Sequence, residues 1–400
     1  MKKGWEYKKL GEVISHLRTG LNPRTHFKLN TPDAESYYIT VRELKGFTIE
    51  PDEKTDKVNS AAIKRINERS NLKIGDVLFS GTGTIGKTAL VCELPENWNI
   101  KEGVYAMTPK HSELDSKYFI YYISSEYFLR LVNDKAAGTG VRSIPMKELV
   151  KLPILIPPLS EQQSIVDYLD STFAKIDAMK ANAEKALNEV KALFQASLKE
   201  MLEPKEGWEE KKLGDICEII RGKRFVRADI VEDGVPCIHY GDIYTYYGLS
   251  VTKTKGCIKP ELAKKMRFAE KNDVVVVQAG ENNWDIGVGV AYLGEEPAAV
   301  HDACFILKHK QDPMYISYYL RSYNYHWYLL DYVHEGKICS FLKPALENAP
   351  IPLPSLSEQQ SIVTTLDSLK SNVDRLQANY EKISQECDAL KQAILRQVFE

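Results

Sequence analysis

Four hundred residues, 44% hydrophobic and 27% charged, fit two or three ordinary globular domains and exclude a disordered or fibrous chain. A formal net charge of −2 excludes a uniformly basic nucleic-acid coat, although an average can hide local fields. No stretch reaches the roughly 18 apolar residues of a membrane span, the opening MKKGWEYKKLGE has no apolar signal core, and the seven cysteines form no C-x-x-C pair; the expectation is a cytoplasmic chain with reduced cysteines, no disulfide frame and no zinc site.

The first feature in chain order is Gly4-Trp5-Glu6-Tyr7-Lys8-Lys9-Leu10-Gly11-Glu12, which returns 203 residues later as Gly207-Trp208-Glu209-Glu210-Lys211-Lys212-Leu213-Gly214-Asp215. Strands are expected at Tyr37 to Val41, Asp76 to Phe79 and Thr88 to Cys92, each short and rich in β-branched or aromatic residues. Between the last two lies Gly81-Thr82-Gly83-Thr84-Ile85-Gly86-Lys87-Thr88, which fits the phosphate-loop pattern G-x-x-x-x-G-K-[ST]. A phosphate loop must open a helix whose N-terminal N–H groups face the phosphates. Here Thr88 to Leu94 gives seven residues before Pro95, so the reading is strand, glycine turn, strand. One helix per globular part is expected, at Tyr118 to Val132 and again at Tyr315 to Leu330.

The repeat continues with Leu159-Ser160-Glu161-Gln162-Gln163-Ser164-Ile165-Val166, which returns 197 residues later as Leu356-Ser357-Glu358-Gln359-Gln360-Ser361-Ile362-Val363. Prolines 157, 158, 352 and 354 precede these runs, and Ser160 and Ser357 stand as N-caps with Gln163 and Gln360 at capping-box spacing. A 4-3 apolar stripe follows through Ile165, Leu169, Thr172, Ile176, Met179, Ala183, Ala186, Val190 and Leu193. Its twin runs through Ile362, Leu366, Leu369, Val373, Leu376, Tyr380, Ile383, Cys387 and Leu390. Such a stripe predicts a coiled coil, each helix being roughly 64 Å long. A two-fold relation between the copies runs the helices antiparallel and brings Trp5 near Phe399. In the second copy, strands are expected at Asp273 to Val277 and Val288 to Leu293, joined by Gly280 to Gly289, which keeps the turn but lacks the lysine and hydroxyl of a phosphate loop.

Other catalytic signals fail. Asp312-Pro313-Met314-Tyr315 resembles a methyltransferase tetrad without its second proline, and its twin Asp115-Ser116-Lys117-Tyr118 reads as a helix N-cap. Glu43-Leu44-Lys45 has nuclease-like spacing without an upstream Pro-Asp pair. The histidines show no H-x-x-x-H, and no G-x-S-x-G is present. Charge is distributed unevenly: 160–203 and 357–400 carry a net −5, leaving the globular parts at +3. Basic residues cluster after the first strands, at Arg18, Arg24, His26 and Lys28 and at Arg221, Lys223, Arg224 and Arg227. A second cluster, Lys64, Arg65 and Arg69, matches Lys264, Lys265 and Arg267. Recurrence of these clusters with polar neighbours points to DNA, whose phosphates need Lys and Arg and whose base edges are read by Arg, Asn and Gln.

The paired GW-x-x-KKLG openings, the IGDVLFSGTGTIGK turn and the P-x-LSEQQ-x-I helix starts, in that order, resemble the specificity subunits of type I restriction-modification enzymes. The resemblance implies an α+β chain of two mixed α/β target-recognition domains, 1–157 and 204–354. Spacer helices 158–203 and 355–400 would join them as an antiparallel coiled coil with pseudo-two-fold duplication. It implies double-stranded DNA as partner, each domain reading one half of a split, asymmetric site, with two methyltransferase subunits and restriction subunits docked and no membrane. S-adenosylmethionine, ATP and Mg would belong to those partners, with no cofactor, metal or catalytic residue here. The candidate DNA-binding residues are Arg18, Arg24, His26, Thr40, Arg42, Lys87 and Arg142 in the first domain. In the second they are Arg221, Lys223, Arg224, Arg227, His239 and Asn283. The alternatives are a coiled-coil scaffold without sequence-specific DNA binding and, more remotely, an ATP-dependent enzyme.

Overall fold

The computed structural model describes residues 4–94, 96–336 and 338–400; Pro95, which bounds the strand after the glycine turn in the reading above, lies outside them. Contacts divide the chain into two compact units, Met1–Ala183 with Glu381–Glu400, and Glu184–Tyr380. Each holds one globular head and stretches of two 44-residue helices, Leu159–Leu202 and Leu356–Phe399.

In the first unit, Ile14–Thr19, Val104–Pro109, Val77–Ser80 and Thr88–Leu90 form a sheet in that order. Lys57–Val58, Ser36–Ile39 and Trp98–Ile100 form another. The GW strand Glu6–Lys9 pairs antiparallel with Pro153–Ile156, Tyr7 opposite Leu155. The second unit repeats the plan. Cys217–Arg221, Cys304–His309, Val274–Val277 and Gly289–Tyr292 follow the same order, extended by Ser250–Val251. Glu209–Lys212 pairs with Pro350–Leu353, Lys211 opposite Ile351. The repeated opening therefore closes each head against the strand that leads into its long helix.

The head helix of each copy is two helices where one was expected. Ser116–Ile123 and Glu126–Lys135 are broken at Ser124 and Ser125, Ser125 capping the second helix by accepting Phe128 N–H at 3.3 Å. Pro313–Tyr319 and Tyr323–Leu330 repeat this with Ser322 as cap. A serine hydroxyl that bonds the backbone locally competes with helix continuation, which periodicity alone overlooks. A further helix, Ser60–Ser70, was not expected from the sequence. It starts at Asn59, whose side chain accepts Ala62 N–H at 3.0 Å, and ends at Asn71 in a left-handed conformation, φ 39°.

The long helices begin at Leu159 and Leu356, two residues earlier than N-caps at Ser160 and Ser357 would set them, so both serines lie inside the first turn. Ser355 makes a capping box with Glu358 in the second copy; Pro158 holds the matching place in the first and has no hydroxyl. The residues that matter are the preceding glutamines. Gln162, fully buried, accepts Asp115 N–H at 2.9 Å and donates to the carbonyls of Glu113 and Pro157 at 2.8 Å. Gln359 accepts Asp312 N–H at 3.0 Å and donates to Pro354 O at 2.9 Å and to Gln311 Oε1 at 3.0 Å. Asp115 and Asp312 cap the head helices, so each glutamine joins the start of the long helix to the start of a head helix. Tyrosines extend the joint: Tyr118 and Tyr315 donate to Leu155 O and Pro352 O, and Tyr121 and Tyr318 donate to Asp170 and Asp367.

Within the first unit the long helices run antiparallel. Asp177 pairs with Lys391 at 2.5 Å and Lys180 with Asp388 at 3.5 Å, while Phe399 packs edge-on to Tyr118 and Tyr122 in the cluster that Trp5 borders. In the second, Leu198 and Leu202 share a core with Val363 and Leu366. The seam departs from the expected stripe in the first helix. Val166, Leu169, Phe173, Ile176 and Leu187 are buried, whereas Met179 and Leu193 are 62% and 59% exposed. Phe173 stacks against Phe47 and meets Tyr121 edge-on, so the helix is covered by its head as well as by its partner helix. A face wider than a two-position seam is buried, and the extra cover selects Phe173 over Thr172.

Candidate nucleic-acid interface

Each head has a cleft in the same place, and a glycine makes it. A Cβ on Gly20 would lie 1.7 Å from Ile100 O, and one on Gly222 would lie 2.2 Å from His301 O; only glycine lets the chain leaving Ile14–Thr19 or Cys217–Arg221 cross so close to another backbone. Beyond the crossing, Leu21 bridges Lys101 in parallel, and Lys223 N–H donates to Val300 O at 2.9 Å. The crossing loop, the loop it touches and the turn between the hairpin strands enclose about 530 Å³ in the first unit and about 380 Å³ in the second.

The first cleft is charged. Arg24, in a short helix capped by Asn22, lines it together with Arg69, Lys101, Glu102 and Thr82 of the glycine turn. His26 and Lys28 line a neighbouring recess with Arg65, whose Nη1 donates to His26 O at 3.1 Å. The fold thus joins the two basic clusters that the sequence shows far apart. Arg18 is placed otherwise: its guanidinium donates to Asp76 at 2.8 Å, to Thr108 Oγ1 at 2.6 Å and to Asn71 O. Asp76 is fully buried, so this charge is neutralised within the head. Thr40 and Arg42 surround buried Glu43, Thr40 Oγ1 donating at 2.7 Å and Arg42 Nε at 2.8 Å. Burial alone would push the Glu43 carboxyl up, but these bonds outweigh it and hold it below the usual range. Exposed Lys87 follows the glycine turn, and exposed Arg142 flanks it, its carbonyl accepting Gly83 N–H at 2.9 Å.

The turn itself is the tip of an antiparallel hairpin, Val77 opposite Leu90 and Phe79 opposite Thr88. Ser80 Oγ accepts Lys87 N–H at 2.8 Å and donates to Thr84 O at 2.7 Å, and Gly86 N–H donates to Ser80 O at 3.0 Å. Amides that a phosphate would need are already bonded, and a strand follows where a phosphate loop requires a helix.

The second cleft is lined by rings as well as charge: Arg224 and Arg227 with Phe225, His239, Tyr240 and His301. Arg221 lies at its edge, its Nε donating to Asp302 O at 2.9 Å and its carbonyl accepting Arg267 Nη1 at 2.5 Å. Lys223 is exposed on the crossing loop, and Lys264 and Lys265 are exposed on the 3-10 turn Pro260–Lys265. Asn283 stands on the following turn, donating to Glu335 at 2.6 Å. Sequence reasoning passed over Lys101, Thr82, Tyr240 and His301. Their signal is positional, since Lys101-Glu102-Gly103 and His301-Asp302-Ala303 occupy matching loops. Among the described residues no group of His, Cys, Asp and Glu could hold a metal ion, and no helix is long and apolar enough to cross a membrane.

The model of the type I restriction modification DNA specificity domain matches residues 2–189 and again 205–385. The chain belongs to this family. It is 24% identical over 402 residues to the type I restriction enzyme MjaVIII specificity subunit of Methanocaldococcus jannaschii, covering 95% of this chain and 89% of that one. It is also 24% identical over 315 residues to the EcoBI specificity subunit of Escherichia coli, covering 71% and 65%. A chain from a structure described as the basis of complex assembly and conformational transition of the type I R-M system shares the fold at TM-score 0.71 and 19% identity, covering 100% and 98% of the two chains. The HsdS subunit of Thermoanaerobacter tengcongensis does so at 0.55 and 19%, covering 100% and 97%. The duplicated fold and the family together make this a DNA-recognition chain of the type I restriction-modification class, not a bare coiled-coil scaffold.

Proposed function

We propose that each unit reads one half of a split, asymmetric DNA site through its cleft. The chain would bring to that site two methyltransferase subunits and, through them, restriction subunits. The observation that carries this is the pair of clefts, set at matching places in a repeated scaffold yet lined by different side chains. A duplicated head with identical linings would suit a palindrome; a charged cleft beside a ring-lined one suits two unlike half-sites. Arg24, Arg69 and Lys101 in one and Arg224 and Arg227 in the other supply cations for phosphates and donors for guanine edges. Lys87 and Arg142 beside the glycine turn, and Lys223 on the second crossing loop, are exposed and suited to backbone phosphates. Arg18, Thr40, Arg42, Arg221 and Asn283 act mainly by shaping the loops that carry these groups.

The reactive chemistry is assigned to partner subunits, which would use S-adenosylmethionine, ATP and Mg, while this chain binds and positions. Gel shift of the full chain with its methyltransferase subunit tests the reading. Binding is expected to be sequence-preferring and to weaken steeply with salt; binding indifferent to sequence at every salt concentration would refute it.

A further inference from the structure

His239 ends the strand Val235–Ile238 and caps the helix Tyr240–Thr245, its Nδ1 accepting Gly241 N–H at 3.2 Å. That bond uses the Nδ1 lone pair, so the proton of the neutral ring sits on Nε2. The residue is 8% exposed, and its ring lies 4.4 Å from Tyr240, 4.7 Å from His301 and 6.2 Å from Phe225, centroid to centroid. Its Nε2 has no partner among the described residues, and the residue lines the cleft.

His301 is used differently. Its Nδ1 accepts Ala303 N–H at 3.1 Å, and its ring also bonds the backbone of Phe225. It therefore straps the crossing loop that carries Arg224 and Arg227. Burial first, then the neighbouring His301, Arg227 and Lys255, push the His239 imidazole down to about 4, against the pull of Asp242. Burial lowers His301 too, with Asp302 opposing and Arg224 assisting. Both rings are neutral near pH 7, so His239 offers the cleft one uncharged donor beside two guanidiniums that are donors only. Arg224 and Arg227 can serve the phosphates, whereas an uncharged donor flanked by Glu281 and Asp302 on the same walls suits a base edge better than a phosphate.

In the major groove a lone donor finds the most acceptors on guanine, at N7 and O6; thymine presents O4 beside a methyl group, adenine N7 beside a donor, and cytosine a donor. We propose that His239 is a base-reading residue of the second unit, its Nε2–H meeting a guanine acceptor in that unit's half-site, with His301 as the positioning residue that sets the arginine loop. The proposal rests on the DNA-reading function above.

The test is selection from randomised duplexes by the full chain with its methyltransferase subunit. It is run on the unaltered protein, on Arg24→Ala to mark the first unit's block, and on His239→Asn, which keeps a side-chain cap but shortens the reach. Unaltered protein should yield two specified blocks. His239→Asn should relax one G·C pair in the second block, from a preference of about 2- to 10-fold towards none, and leave the first block intact. Because a neutral donor releases no counterions, the salt dependence of binding should not change, whereas Arg224→Ala should lower the log–log slope by about one. His301→Ala should relax several positions of the second block at once. An unchanged second block, a relaxed A·T pair, or a uniform loss of affinity across sequences with an unchanged melting temperature would each overturn the proposal. If the unaltered protein selects no split motif, the DNA-reading function fails first and the proposal falls with it.

Discussion

The two units share a scaffold and differ where they would meet DNA. In both, a glutamine at the start of a long helix clamps an aspartate-capped head helix, and a glycine crossing opens the cleft. Yet one cleft is lined by Arg24, Arg69, Lys101 and Glu102, and the other by Phe225, His239, Tyr240 and His301 beside its arginines. The residues that repeat are those that hold the fold, and those that diverge sit on loops the fold presents. A buried carboxylate shows the same division inside the core. Asp76 is neutralised by Arg18, whereas its counterpart Asp273 meets Lys308 at 3.5 Å, so the charge is kept and the partner has changed.

That difference can be broken deliberately. The largest effect is expected from Asp76→Asn, which strands the guanidinium of Arg18, only 12% exposed. Losing one partner of a buried pair costs about 3–5 kcal/mol, to be read from urea unfolding monitored in the first unit. Asp273→Asn should cost about 1–2 kcal/mol, because Lys308 is 29% exposed and keeps Glu270 at 3.2 Å. Equal losses would show that the two carboxylates are interchangeable. The glutamines should behave oppositely: Gln162→Ala and Gln359→Ala each leave the N–H of a half-buried aspartate without its side-chain partner, and about 1–3 kcal/mol is expected from both. A marked inequality between them would argue against a shared joint.

Acidification should separate the units next. His239 and His309 are pushed down to about 4, chiefly by burial, and burial lowers His301 and His326 as well. All four lie in the second unit. Below the ordinary histidine value of about 6.5 the unfolded chain binds protons that the folded unit refuses, so stability present at pH 7 is lost as pH falls towards 4. Asp273, whose carboxyl burial pushes up, opposes this at the acid end. The second unit's melting transition is expected to fall by several degrees between pH 7 and 5; a transition that rises or holds would show those rings to be charged in the fold. The smallest effect is that of Arg24→Ala, about 1 kcal/mol in DNA affinity and about one in salt slope, read by fluorescence anisotropy. A change in sequence preference without a change in slope would make Arg24 a base reader alone.

Much of the architecture was legible because duplication supplies its own control. The phosphate-loop pattern at Gly81 to Thr88 has no lysine counterpart in the second copy, and the hairpin geometry agrees with that reading. Both long helices were visible from their repeated starts, within two residues. What escaped depends on contacts between distant residues. Arg18 belongs to a basic cluster in sequence, but Asp76, 58 residues away, takes its charge. Gln162 reads as one of two equivalent glutamines until Asp115, 47 residues back, shows which one is buried. His301 carries no motif; its place opposite His239 follows from a parallel pairing of Cys237 with Ala299. The broken head helices and Ser60–Ser70 were within reach, since Ser125, Ser322, Asn59 and Asn71 are residues that cap helices.

The central claim is that the two clefts read separate parts of one site. Selection from randomised duplexes, carried out in parallel with Arg24→Ala/Arg69→Ala and with Arg224→Ala/Arg227→Ala, tests it most directly. Two blocks of specified bases are predicted, the first double variant degrading one and the second degrading only the other. A single uninterrupted motif, or one block degraded by both double variants, would contradict it.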